Sequence, residues 1–303
     1  MASVSIPSII KSATTNDDFT ACKSVPVCAF VKPFEKYGYD NIAVLLSESG
    51  FDGADITLRK GGLIIPETAK TELPKLIKSF AEKNISVPMA VSGIQSAYDP
   101  DTENIIRIMS DNGISYYRLG AINYDKQMSV SKNLDILKKN MEKLSELNLR
   151  YKIHGDVQNH VGSGFGAPVW DIYLAIKDCD PEYLGIQYDI RHAVAEGMAS
   201  WSLGLNMALE YVCTTCIKDF TWEKYNKTFR PVSVPLGEGI VDFKQYFEII
   251  GAKTHRGPVS IHYEYPLLDD SKTNVAVNEQ IKSMIPKIKR DLDVYKQMQK
   301  NYH

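Results

Sequence analysis

No excess of either charge sign marks this chain: 35 Lys and Arg stand against 37 Asp and Glu, mixed along its length, for a formal net charge of −2. Nucleic acid and anionic membranes are bound through concentrated basic faces, and neither partner is expected here. No apolar run approaches the roughly 20 residues needed to span a bilayer. Cysteine is sparse and odd in number (Cys22, Cys28, Cys179, Cys213, Cys216), which excludes the disulfide framework of a small secreted domain. Cys213 and Cys216 form a C-x-x-C inside an apolar, strand-like run, with no second pair and no redox-type helix after it. Two small packed strand residues are the simpler reading. Reduced cysteines point to the cytoplasm. The polar opening of the chain lacks the charged start and apolar middle of a signal peptide, and a periplasmic location would require a signal removed upstream. The G-x-x-x-x-G-K-[ST] phosphate loop is also missing, and no nucleotide cofactor is expected.

What the chain does have is alternation between short apolar runs and amphipathic stretches. Strand patterns begin at Val25 (VPVCAFV), Gly53 (GADITL), Ile85 (ISVPMAV), Ile114 (ISYYRL), Leu149 (LRYKIHGDV), Leu184 (LGIQYDI), Tyr211 (YVCTTCI) and Pro258 (PVSIHYEY). Helical patterns lie at 41–49, 68–83, 102–112, 132–147, 168–177, a short 203–210, 242–250 and a final 278–300. In the fourth of these, Leu134, Leu137, Met141, Leu144 and Leu147 recur at the spacing of one helical face. Strand–helix repeats imply a parallel sheet, and eight of them imply closure, so the expected fold class is α/β, a (β/α)8 TIM barrel. With 303 residues, 44% of them hydrophobic, the chain can bury one core, and no linker or composition break divides it. The expectation is a loosely ordered arm over 1–24 followed by one barrel domain over 25–303.

Barrel interiors are packed with branched apolar side chains, so polar residues repeated at one strand parity need a reason. The fifth strand pattern carries His154, Asp156, Gln158 and His160; the sixth, Gln187, Asp189 and Arg191; the seventh, Thr214, Cys216 and Lys218; the eighth, His262 and Glu264. The second offers Asp55, Thr57 and Arg59, and the fourth ends near Arg118. Each set crowds toward the C-terminal end of its strand, where barrels of this kind build their sites. Burying so many ionisable groups without function is costly, although any one of them is readily explained as a structural ion pair. The Gly- and Ser-rich QNHVGSGFGAP after the fifth strand lets backbone approach a ligand, and PLGEG at 235–239 places Glu238 over the mouth. Trp170, Trp201 and Trp222 fall near strand-to-helix connections, where aromatic faces suit a sugar ring as well as ordinary packing.

Taken in order, QNH (158–160), YDIRH (188–192), IKD (217–219), PLGEGIVDF (235–243) and GPVSIHYEY (257–265) resemble the sugar phosphate isomerase/epimerase group of xylose-isomerase-like barrels. DITLRKGG (55–62) and YYRLG (116–120) extend the likeness to earlier strands. The resemblance implies a small sugar or sugar derivative as ligand and pairing into homodimers. It also implies a divalent metal held by Glu, Asp, His and Glu from four strand ends, with two carboxylates moving a proton between adjacent carbons. Carried over, these four positions fall on Gln158, Asp189, Cys216 and His262, so three of the four ligand types differ. Two designs stay open. In one, Gln158, Asp189 and His262 hold Mn, Mg or Zn. In the other, no metal binds, and Lys218, Arg118 and Arg59 stabilise an enolate while Glu264 or His262 takes the proton. The expected catalytic residues are Glu264, His192, Lys218 and His160, and the expected sugar contacts are Arg59, Arg118, Asn159, Arg191 and Glu238. The expected activity is carbohydrate isomerisation or epimerisation by proton abstraction next to a carbonyl. A lyase or hydratase acting on 3-keto-glycosides, or a sugar-binding barrel without chemistry, are the alternatives. A metal-dependent nuclease on the same barrel is disfavoured for want of a basic, DNA-facing surface.

Overall fold

The structure, a computed structural model, describes residues 25–251 and 257–302. The expected N-terminal arm, with Cys22, lies outside the described residues. Eight parallel strands close into a barrel: β1 (Val27–Phe30), β2 (Gly53–Leu58), β3 (Ser86–Ser92), β4 (Tyr116–Arg118), β5 (His154–Gln158), β6 (Leu184–Asp189), β7 (Val212–Ile217) and, last in the ring, β10 (Val259–Ile261), which pairs back onto β1. Between the seventh and eighth barrel strands an antiparallel hairpin, β8 (Asp219–Tyr225) and β9 (Thr228–Val234), stands apart from the barrel sheet. The helices are α1 (Tyr39–Ser49), α2 (Ala69–Ala81), α3 (Thr102–Asp111), α4 (Val130–Tyr151), α5 (Val169–Ile176), α6 (Ile190–Gly197), α7 (Trp201–Ala208), α8 (Phe243–Gly251) and α9 (Val277–Tyr302). No helix among the described residues is long and apolar enough to cross a membrane.

The periodicities in the sequence account for most of this. In α4, Leu137, Met141, Leu144 and Leu147 are buried, the stripe that the spacing required. Its Ser129 accepts a hydrogen bond from the backbone N–H of Lys132, a side-chain cap for the first turn. The helix runs to Tyr151 and stops where Lys152 turns left-handed (φ 53°). The strand expected from Leu149 therefore begins only at His154, because L-x-Y-x-I satisfies helical and strand periods equally well over so short a run. α1 ends the same way at Gly50 (φ 86°), a conformation that costs glycine little. The main apolar core is the shell between strands and helices, including Ile42, Leu45 and Leu46 from α1, Leu73 and Phe80 from α2 and Leu292 from α9. Each such side chain contributes about 2 kcal/mol through burial.

Two elements were not read from the sequence. The α6 turn grows directly from the end of β6, with the Asp189 side chain accepting from the His192 backbone N–H at 3.0 Å. The D-x-x-H spacing is thus also a helix cap. The β8–β9 hairpin turns at Asn226 (φ 55°), and its polar alternation from Thr221 to Arg230 was the available signal.

Asp219, at the start of the hairpin, gathers the loop that leads to α8. One carboxylate oxygen accepts from the backbone N–H groups of Phe220 (2.9 Å) and Val241 (3.2 Å), the other from those of Gly237 (3.1 Å) and Gly239 (2.9 Å). A Cβ on Gly239 would fall 2.0 Å from that carboxylate, so only glycine fits. Replacing Asp219 with alanine leaves four N–H groups short of an acceptor, and we expect Asp219→Ala to lose about 3 kcal/mol of unfolding free energy. Urea denaturation of the variant beside the parent protein checks this.

Candidate active site

Strand parity delivers the polar set to one rim. Gln158 and Asp189 end β5 and β6, Lys218 directly follows β7, and His262 and Glu264 follow β10, continuing its alternation past the last strand residue. The backbone N–H of His262 still donates to Ile217 C=O at 3.0 Å, which keeps the eighth strand's end in register with the seventh. A cavity of about 240 Å3 opens there, lined by Phe30, Lys32, Arg59, Arg118, Gln158, His160, Phe165, His192, Lys218, His262 and Glu264 among others.

Lys218 is the centre of the arrangement. Its side chain is about 3% exposed, and Nζ lies 3.1 Å from Asp189 Oδ2, 2.7 Å from Glu264 Oε1 and 3.0 Å from His192 Nε2. Burial would lower the Lys218 pKa, but the carboxylates, Asp189 foremost, outweigh it and hold the ammonium charged. Burial would likewise raise the Asp189 carboxyl, yet the His192 ring and the Lys218 ammonium keep it well below the usual carboxylate range. Glu264 behaves in the same way: burial raises it, His262 and Lys218 bring it far down, and its side chain remains 41% exposed to the cavity. The His192 ring is pushed down to about 3, first by burial. A proton added there would sit between the Lys218 ammonium and the Arg191 guanidinium, which approaches Nδ1 at 3.0 Å. His262, stacked on Phe30 at 4.3 Å, is lowered to about 4, chiefly by burial.

Gln158 joins the two sides of the site. Its Nε2 donates to Asp189 Oδ2 at 2.9 Å, and its Oε1 accepts from Arg118. A carboxylate on one side and a guanidinium on the other fix the amide's orientation and use both of its ends.

A divalent ion does not fit this donor set. The amide oxygen of Gln158 is committed to Arg118, and the inner oxygen of Asp189 to Lys218 and Gln158. Cys216 is fully buried, which pushes its thiol up, and it does not line the cavity, so no thiolate is offered. Of the four positions, only His262 keeps a buried side-chain atom without a hydrogen-bond partner among the described residues, its Nε2. The Lys218 ammonium holds the ground between Asp189 and Glu264 where a cation would bind. Elsewhere among the described residues, His154, Asp156 and Cys213 come close enough together to hold a metal. They lie away from the cavity: His154 and Cys213 line a separate pocket with Ser115, Lys152 and Ile153, before the strands begin. The two nitrogens of His154 already meet Asp156 Oδ1 and the Glu182 carbonyl, each at 2.8 Å. His154 therefore takes no part in the rim site, although it shares the strand parity of Gln158.

Three expected sugar contacts lie outside the cavity. Asn159 points away from it and pairs reciprocally with the Asp189 backbone, donating to its C=O (3.0 Å) and accepting from its N–H (2.7 Å). It is a brace between β5 and β6. Arg191 lies over the Phe220 ring at 5.3 Å and touches His192, and Glu238 is exposed and paired with Arg290 at 2.7 Å. None of Trp170, Trp201 and Trp222 lines the cavity either. Its aromatic faces are Phe30 and Phe165, and its outer cation is Lys32, all unremarked in the sequence. Phe30 and Lys32 sit at the end of β1, a position that strand-end logic alone could have flagged.

The fold and rim site define a (β/α)8 barrel with an ionic pocket at its C-terminal mouth. The chain belongs to the family described as xylose isomerase-like TIM barrel, whose model matches residues 43–286. Among solved structures it is similar to the IOLI protein with a bound zinc atom (TM-score 0.68, 14% identity, covering 92% of this chain and 99% of that one). It is also similar to the 3-keto-D-glucoside 4-epimerase YcjR from E. coli (TM-score 0.65, 13% identity, 89% and 99% covered). A third is the D-psicose 3-epimerase with D-tagatose from Clostridium cellulolyticum H10 (TM-score 0.63, 10% identity, 90% and 99% covered). No curated protein sequence matches the chain.

The site sets a pH dependence of stability. His192 and His262 titrate near 3 and 4 in the fold, below the roughly 6.5 of an exposed histidine. Between those values and 6.5 the unfolded chain takes up protons that the native state refuses, so stability falls as pH falls. Asp55, raised by burial to about 6, acts in the opposite sense, as do His154, Asp171, Asp219 and Asp291, which are also raised, so the contribution of the two histidines is read by removing them. We expect a His192→Gln/His262→Gln double variant to lose less stability than the parent protein, or to gain more, between about pH 7 and about pH 5, as read from the urea midpoints of both.

Proposed function

We propose that the protein is a carbohydrate-modifying enzyme that abstracts a proton next to a carbonyl of a sugar or keto-sugar, with the Lys218 ammonium as its electrophile. The buried ammonium at the cavity wall, held by Asp189 at 3.1 Å, carries this reading. Removal of the proton breaks a C–H bond and sends its electron pair to the carbonyl oxygen. The resulting oxyanion is stabilised by the Lys218 ammonium, which exchanges its hydrogen bond to Glu264 for one to the substrate oxygen while Asp189 holds it at the cavity wall. Glu264, ionised and open to the cavity, receives the proton; when the substrate oxygen draws Lys218 away, its basicity rises. His160, exposed and with its ring centroid 3.9 Å from that of His192, tilted by 37°, is the second group able to exchange a proton with the substrate. Asp189 and His192 position Lys218, and Gln158 positions Arg118.

Return of the proton to the neighbouring carbon gives isomerisation, and to the opposite face epimerisation. Family membership and the similarity to sugar epimerases favour these outcomes. Loss of a leaving group from the same intermediate gives a lyase, a reading supported by the one carboxylate among the described residues lining the cavity, Glu264, where a symmetric two-base epimerase uses a pair.

Incubation in D2O with a panel of keto-sugars and 3-keto-glycosides, read by NMR, tests the proposal. Deuterium at a carbon next to the carbonyl is expected. Glu264→Gln should slow its uptake by about 100-fold or more, and Lys218→Met by a similar factor. Sugar binding without exchange at any carbon would instead make this a binding barrel. Unchanged turnover in Asp189→Ala and His262→Ala variants would remove the site from the chemistry altogether.

A further inference from the structure

The positive charge of the cavity exceeds what proton abstraction from a neutral sugar requires. Four cationic side chains line it, Lys32, Arg59, Arg118 and Lys218, against one carboxylate, Glu264. Lys218 is accounted for by Asp189 and Glu264. The other three are not. Arg59 makes no ion pair or side-chain hydrogen bond among the described residues, and its Nε is buried without a partner. Among the described residues the Arg118 side chain gives a hydrogen bond only to the neutral amide of Gln158, and it lies over the Phe30 ring at 5.8 Å. The two guanidiniums are close enough to repel one another. Asp55, whose charge does most to favour the ionised Arg118, is fully buried, accepts from the Ser260 hydroxyl at 2.7 Å and does not line the cavity. On the same wall His262, about 3% exposed, leaves Nε2 unpartnered.

Two guanidiniums that share no ion-paired carboxylate within the cavity are costly there, since Asp55 and Asp189 act on Arg118 only from behind its wall, and an anion that takes donors from both relieves it. We propose that the substrate of this pocket carries an anionic group, a carboxylate or a phosphate, bound by Arg59 and Arg118 with Lys32 at the entrance. The inference rests on the reading of this cavity as the substrate site. It assigns the arginines to holding the charged end of the sugar and leaves Lys218 and Glu264 to the reacting carbons. The fork of each arginine suits the planar carboxylate and the phosphate alike, so the test separates the two.

Binding is measured by isothermal titration or ligand-observed NMR with glucose, glucuronate, glucose 6-phosphate and inorganic phosphate, on the parent protein and on Arg59→Gln. At least one charged sugar is expected to bind about tenfold tighter than glucose, with the advantage falling at high salt and disappearing in Arg59→Gln. Preference for glucuronate identifies a carboxylate subsite; preference for glucose 6-phosphate, matched by weaker binding of phosphate, identifies a phosphate subsite. Glucose binding as tightly as both acids overturns the proposal. So does anion binding that survives Arg59→Gln unchanged, or saturation by none of the anions at millimolar concentration. Tight anion binding without proton exchange into any bound sugar would instead defeat the proposed reaction while leaving this inference standing.

Discussion

The contact between the Lys218 ammonium and the Asp189 carboxylate, 3.1 Å apart and both almost sealed from water, is the constraint around which the rim is organised. A buried charge is tolerated only when it is paired and hydrogen-bonded, so each partner dictates what surrounds the other. Asp189 needs donors and receives the His192 backbone N–H, the Gln158 amide and the ammonium. Lys218 needs acceptors and receives Asp189, Glu264 and an unprotonated His192. The neutrality of His192, the orientation of Gln158 and through it the placing of Arg118 all follow from that pair.

The same constraint explains why the ring of strand-end ligands implied by the family pattern is altered. Metal chemistry in such a site calls for anionic or neutral donors with free lone pairs. Gln158 here spends its oxygen on a guanidinium, and His262 is walled by Phe30 and lies 3.9 Å from Asp55 and from Glu264. A fixed ammonium supplies positive charge at one point with three donors, whereas a metal would draw several donors inward. The remaining cations can then be spread along the wall, which is where Arg59, Arg118 and Lys32 stand. Supporting residues sit one step behind: Asn159 locks β5 to β6 at the Asp189 backbone, and Asp219 fixes the loop that follows the hairpin.

Much of this was legible in the residues because barrel strands impose a period of two and place their C-terminal ends on one rim. That rule alone brings Gln158, Asp189, Lys218, His262 and Glu264 together, and the spacing of Leu137 to Leu147 sets α4. It failed where a residue leaves the strand: Asn159 and Arg191 follow the strand ends and turn outward, and Glu238 belongs to a loop whose path is decided by Asp219, which no local pattern reveals. His154 shares the parity of Gln158 but lies a full strand length below it, at the opposite mouth. The tryptophans misled because aromatic residues near connections pack more often than they bind, while Phe30 and Phe165 do their work unannounced. The competition between an ammonium and a metal for one carboxylate is a matter of ångströms, and sequence carries no such distances.

The central claim is that Asp189 holds the Lys218 ammonium and not a divalent ion. A titration of the purified protein with Mn2+, followed by the electron paramagnetic resonance signal of the free ion, tests it directly. The account predicts that the parent protein leaves the free signal undiminished, as does Asp189→Asn. Stoichiometric Mn2+ uptake by the parent protein that is lost in Asp189→Asn would contradict it.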